Sequence, residues 1–213
     1  MKIGLSVVVA VAVAGAVSPE RGWCQSAPIV QPGAPGEPSR IVTAEAASDL
    51  SAVGFTPADV SFMQQMIGHH AQAVEMTALL PSRTTDTRMR ALATRIEISQ
   101  HDEMEMMRGW LAERGQEMPG AHAHHAHTAT LMPGMLTPDE MAALSAATGG
   151  EFDRLFLLGM IKHHQGALVM VEQLLATPGA AQESAMYAFV SDVDIDQRLE
   201  IGRMSTLLKE LGR

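Results

Sequence analysis

Asp59-Val60-Ser61-Phe62-Met63-Gln64-Gln65-Met66-Ile67-Gly68-His69-His70-Ala71-Gln72-Ala73-Val74-Glu75-Met76 recurs without a gap as Asp153-Arg154-Leu155-Phe156-Leu157-Leu158-Gly159-Met160-Ile161-Lys162-His163-His164-Gln165-Gly166-Ala167-Leu168-Val169-Met170, with eight of 18 positions identical. The segments that follow repeat more weakly: Ile98-x-Gln100-x-x-Glu103-x-x-x-Met107 is matched by Ile195-x-Gln197-x-x-Glu200-x-x-x-Met204. The offset grows from 94 to 97 residues between these two pairs, a change that one interhelical turn can absorb. Each half therefore reads as a two-helix hairpin whose apolar face only the other half can cover. The economical assembly is all-α: a four-helix, ferritin-like bundle of two repeated αα-hairpins with one long connection.

Stop and start signals bound the helices. Thr56-Pro57-Ala58-Asp59 supplies an N-cap, a proline in the first turn and an acid, predicting a helix that runs to Leu80 and stops at Pro81-Ser82. A second helix is expected over 85–114, a short one from Thr137 with capping-box spacing to Glu140, a third over 151–176 and a fourth over 182–211. No stretch reads as a strand. The connection, 115–136, carries the run His122-Ala123-His124-His125-Ala126-His127.

Ahead of the bundle, Met1-Lys2 and the uncharged run Ile3 to Val17 form a secretory signal pattern, too short for a membrane span. Cleavage is expected either after Ala14-Gly15-Ala16 or near Ser26. The organisation is then a signal peptide over 1–26, a flexible Pro/Gly-rich spacer over 27–55 and the bundle over 56–213, in a periplasmic or secreted protein with no stable membrane span after processing. The single Cys24 excludes an internal disulfide, and the Trp23 before it argues against lipid attachment.

Composition narrows the function. A net charge of −9 repels a phosphate backbone, which removes nucleic acid as a partner. The unusual counts are 16 Met and nine His in 213 residues, because they cluster together. At about 100° per residue, Met66, His69, His70, Ala73 and Met76 share one face of the first helix, and Met160, His163, His164, Ala167 and Met170 take the same angles in the third. One histidine of each pair is expected to point inward. On the second helix Met104 and Met107 lie on one face with Gln100 and Glu103, and His101 at its edge; the fourth keeps Met204 and Gln197 but has Arg198 and Ile201 where the second has His101 and Met104.

A thioether is a soft, neutral donor and imidazole a borderline one, so a Met/His set without thiolates suits copper, Cu(I) first and Cu(II) through the imidazoles. The candidate ligands are Met66, His69, His70, Met76, His101, Met104, Met107, Met160, His163, His164, Met170 and Met204, with the second half the poorer site; His122, His124, His125 and His127 form a weaker, loop-borne set. Against this, Met at helical spacing usually fills core, and Gln and Glu on a helix usually face water. What favours ligation is that Met-x-x-His-His with a Met six residues further on occurs twice.

With Met66-Ile67-x-His69-His70-x-x-Ala73-x-x-Met76, the partner pattern Gln100-x-x-Glu103-x-x-x-Met107-x-x-Trp110-Leu111 and Gly150-Glu151-Phe152-Asp153, residues 50–211 resemble the domain of unknown function 305 family, bacterial and mostly exported helical proteins. The resemblance implies a ferritin-like bundle and an association with periplasmic copper binding and tolerance. The expected function is copper buffering, tolerance or transfer to other periplasmic copper-handling proteins, without catalysis. The alternatives are a ferritin-like metalloenzyme (a metal oxidase or peroxidase) and a structural bundle without metal. Di-iron chemistry of that architecture uses Glu-x-x-His pairs, and the sequence has none. No Ser or Cys elbow beside the histidines supports nucleophilic hydrolysis.

Overall fold

The computed structural model describes residues 27–31, 38–48, 54–119 and 131–212. In the first unit, which ends at Leu50, Ile29–Gln31 (β1) and Arg40–Val42 (β2) pair antiparallel with Val30 opposite Ile41, and Ala44–Ser48 forms a single helical turn and a half, α1. These strands are not expected from the sequence, because three residues are too few to show an alternating pattern.

The second unit carries the repeat as four long helices: α2 (Pro57–Ala78), α4 (Thr87–Glu113), α6 (Gly149–Leu175) and α7 (Ser184–Leu211). Thr56 caps α2 as its sequence predicts: its hydroxyl accepts from Asp59 N, and Asp59 Oδ2 accepts from Thr56 N at 2.7 Å. The other oxygen, Oδ1, accepts from Ala181 N at 2.7 Å, which ties the start of α2 to the α6–α7 turn. The predicted stop at Pro81 is a break at Leu79 instead. A new turn, α3 (Leu80–Arg83), places Pro81 in its first turn, where no helical N–H is lost. Between α4 and α6 lies α5 (Pro138–Ala146), closed by a Thr137/Glu140 capping box.

The hairpins are α2 with α4 and α6 with α7; they meet chiefly through α2 and α6, while α4 and α7 touch least. The core falls into two buried apolar clusters. One holds Met66, Met107, Met170 and Met186; the other holds Met76, Met89, Met160 and Met204. The members correspond by the repeat, Met66 to Met160, Met107 to Met204, Met76 to Met170 and Met89 to Met186. Each cluster thus draws two of these methionines from each hairpin.

The long connection returns over the α2–α6 face. Gln72 donates its Nε2 to Leu136 O at 3.0 Å and accepts from Leu136 N at 2.8 Å. Gly134, with φ +75°, rests against the α6 backbone so closely that a Cβ on Gly166 would lie 1.9 Å from Pro133 O. Residues 133–136 therefore seal this side of the bundle.

Candidate metal centre

Every long helix passes from one methionine cluster to the other, and at each crossing the buried residues turn polar. On α2 the change lies at His69 and His70, on α4 at Gln100 and Glu103, on α6 at His163 and His164, and on α7 at Gln197 and Glu200. All eight are buried, none more than 5% exposed. A polar layer thus sits mid-bundle between two Met-rich apolar layers.

Its His–Glu pairs follow the repeat. His70 Nε2 donates to Glu103 Oε2 at 2.5 Å, and His164 Nε2 donates to Glu200 Oε2 at 2.5 Å. His69 Nε2 donates to Pro133 O and His163 Nε2 to His69 O, both at 2.9 Å. The His69 and His163 rings face each other with centroids 3.8 Å apart. A carbonyl oxygen can only accept, so both of these imidazoles carry the proton on Nε2.

Burial, joined by the charge of neighbouring His70, lowers the His69 pKa to about 3. Burial also pushes His163 well below the ordinary histidine value, with His69, His164 and His70 adding to it. Both rings are neutral at physiological pH, and each leaves a lone pair on Nδ1. The Nδ1 atoms of His69, His70, His163 and His164 are all buried without a hydrogen-bond partner. Burial works to raise Glu103, but the hydrogen bond and charge of His70 and a bond from Ser99 outweigh it, holding the carboxyl below its usual range.

Several expectations change here. Both histidines of each pair are buried, not one. His101 is exposed: with Glu103 and Trp110 inside, the buried face of α4 centres near Glu103, and His101 lies about 160° around the helix from it. Of the two replacements behind the expectation of a poorer second half, Arg198 for His101 lies outside the buried face, whereas Ile201 for the buried Met104 remains. Met76 joins Met160 and Met204, not Met66; Met66, Met104, Met107 and Met170 share the other cluster. His122, His124, His125 and His127 lie outside the described residues.

Glu103, Glu200, Gln100 and Gln197, left out of the candidate ligands because such side chains usually face water, complete the layer. The signal was the Gln-x-x-Glu spacing itself, repeated in both partner helices. The amides of Gln100 and Gln197 have neither donor nor acceptor partners. Among the described residues no three His, Cys, Asp or Glu side chains converge as ligands of one ion. A metal held here would draw on Nδ1 atoms together with the methionines of the adjoining layers, and the unpartnered nitrogens and soft sulfurs fit that role.

Known structures share this fold. A DUF305 fragment from Deinococcus radiodurans is 32% identical with TM-score 0.62, over 73% of this chain and 98% of that one. The protein CopM, in its Cu(I)-bound form, is 25% identical with TM-score 0.56, over 71% of this chain and 96% of its own. In its Cu(II)-bound form it gives 26% and 0.59. An uncharacterized protein of Acanthamoeba polyphaga mimivirus is 41% identical over 56 residues, 26% of this chain and 37% of the viral protein. The profile of the domain of unknown function DUF305 matches residues 59–208, which begin at the capping Asp59 and end in the last turns of α7, and the chain belongs to that family.

Proposed function

We propose that this chain is an exported, non-enzymatic copper-binding protein that takes up Cu(I) in the polar layer and buffers it or passes it to other copper-handling proteins of the periplasm. The observation that carries this reading is the set of four buried, unpartnered histidine Nδ1 atoms between two layers of methionine. Burying a lone pair without a donor costs about 1–3 kcal/mol, a cost that a metal bond removes. Nε2 bound to carboxylate or carbonyl oxygen is the arrangement metal-bound histidines use on the ring nitrogen away from the ion. Zinc sites take at least three converging His, Cys, Asp or Glu ligands. With fewer of these, the thioethers of the adjoining layers can complete the sphere, and their softness favours Cu(I). The Cu(I)- and Cu(II)-bound forms of CopM support copper as the metal. Export is supported by the charged start and apolar run of residues 1–17.

One observation favours a second reading, a ferritin-like metalloenzyme: Glu103 and Glu200 are buried at mid-bundle. Each is already engaged by an imidazole, which leaves the first reading ahead. Anaerobic titration with Cu(I) against a competing chelator, beside Cu(II), Zn(II) and Fe(II), separates the two. Cu(I) should bind most tightly, and turnover of peroxide or oxygen by the Fe(II)-loaded protein should be absent. Tight Fe(II) binding with turnover, and weak Cu(I), would reverse the order.

A further inference from the structure

Two faces of the bundle expose the junction between the hairpins, and they differ. Residues 133–136 lie across the α2–α6 face, fixed by Gln72 and by the contact of Gly134 with α6. On the α4–α7 face the packing is sparsest, and two adjoining hollows of about 170 and 380 Å³ share Met106, Phe189 and Asp192. At about 30 Å³ per water, the smaller admits a hydrated ion.

The smaller hollow leads inward. Its lining includes Asp192 and Asp196 from α7 and Glu103 from α4, whose carboxylate holds His70. Behind that carboxylate lie polar groups that are buried and have no partner: His70 Nδ1, the amide of Gln100 one turn from Glu103, and the amide of Gln197 one turn from Glu200. Asp194 is tied to Arg198, whereas Asp192 and Asp196, one turn apart, form no ion pair among the described residues. Partial burial, then the charges of Glu103, Glu200 and Asp192, raise the Asp196 carboxyl above its ordinary range against the pull of Arg203. The negative potential of several carboxylates is therefore concentrated at one opening. Met106, 53% exposed, places a thioether at its rim.

We infer that the α4–α7 cleft is the way by which a metal cation reaches the polar layer, with Asp192 and Asp196 drawing it in, Met106 offering a first soft contact and Glu103 joining the cleft to His70. The inference rests on the copper reading above. A cleft lined by one sign of charge accelerates association by about 10- to 1,000-fold without adding to the bonds of the final complex.

The test is anaerobic stopped-flow loading of the whole mature chain with Cu(I), followed by tryptophan fluorescence, together with equilibrium Cu(I) affinity and stoichiometry on the same samples. The double variant Asp192→Asn/Asp196→Asn should load about tenfold more slowly at low salt, and the difference should shrink in high salt. Its affinity, stoichiometry and helix content should match the parent. The control Glu97→Gln/Glu105→Gln removes the same charge from the part of α4 about 120–200° from Glu103 and should load at the parental rate. Equal rates for the parent and the Asp variant overturn the route, as does equal slowing by the control. A loss of equilibrium affinity in the Asp variant would make the two aspartates ligands and also overturn it. If the parent fails to bind Cu(I) tightly, the copper reading and the route fall together; tight binding at an unaltered rate removes the route alone.

Discussion

Gln72 and Gly166 occupy the same place in the two repeats, and they serve opposite parts of one contact. Gln72 grips Leu136 through two hydrogen bonds, while Gly166 has no side chain where the backbone of Pro133 and Gly134 comes down on α6. The connection between hairpins can therefore lie on the α2–α6 face in one way only.

Gly166→Ala should expel residues 133–136, because the added methyl would lie 1.9 Å from Pro133 O, a backbone atom with little room to yield. A loss of about 2–4 kcal/mol in urea unfolding is expected, with His69 losing its carbonyl partner. Gln72→Ala strands the buried Leu136 N–H and C=O, at a cost of about 1–3 kcal/mol. Parental stability in the Gly166 variant would contradict the close packing of this segment.

Acid should destabilise the metal-free protein earlier than its carboxylates alone would. His69 is neutral when folded, with its pKa depressed to about 3, whereas an unfolded histidine titrates near 6.5. The unfolded chain therefore binds more protons in between, so the stability is fully present above about pH 6.5 and drains as pH falls towards 3. By pH 5 this one group removes about 2 kcal/mol, and His163 acts in the same direction. Glu103, held below its usual range, adds a further loss at more acidic pH. Urea midpoints measured from pH 7.5 to 5 check the slope; a flat profile would mean that His69 is charged in the fold.

Glu103→Gln and Glu200→Gln should each weaken Cu(I) binding by about 10- to 100-fold, since each carboxylate orients an imidazole through Nε2. The two losses should be comparable, because the wiring repeats. His101→Ala should leave the affinity unchanged. Chelator competition measures all three, and a large effect of His101 beside a small one of Glu103 would place the metal outside the polar layer.

Deleting residues 121–127 removes His122, His124, His125 and His127. It should lower the total copper bound at saturation without changing the tightest Cu(I) constant or the circular dichroism of the helices. Collapse of tight binding would make that segment the principal site.

The bundle was legible because its signals are local or repeated: Thr56 and Thr137 cap where they stand, and the His-His segment announces two equivalent helices. The polar layer was half legible. His69, His70, His163 and His164 stood out by type, but Glu103 and Glu200 carry charge, and a single helix offers no reason to bury a carboxylate until an imidazole on the neighbouring helix is known to meet it. His101 misled for a related reason. Judged from Met104 and Met107 alone it lies at the edge of a face, and only the burial of Glu103 and Trp110 turns that face away from it. The seal over α2–α6 depends on backbone against backbone at Pro133 and Gly166, where no side chain leaves a pattern.

The two methionine clusters exchange under the repeat, as they would under a twofold relating the hairpins. A lone hairpin pairing with a copy of itself would build both clusters and both His–Glu pairs from one set of residues, related by a molecular twofold. Such a homodimer could not hold a single crossing segment, because every position would be forced to be the same on both sides. A single chain is free of that constraint, and the two repeats use the freedom where Gln72 stands opposite Gly166 and Met104 opposite Ile201. His69 with His163, His70 with His164 and Glu103 with Glu200 are among the positions where the two repeats stay the same, so the polar layer keeps the symmetry that the crossing segment breaks.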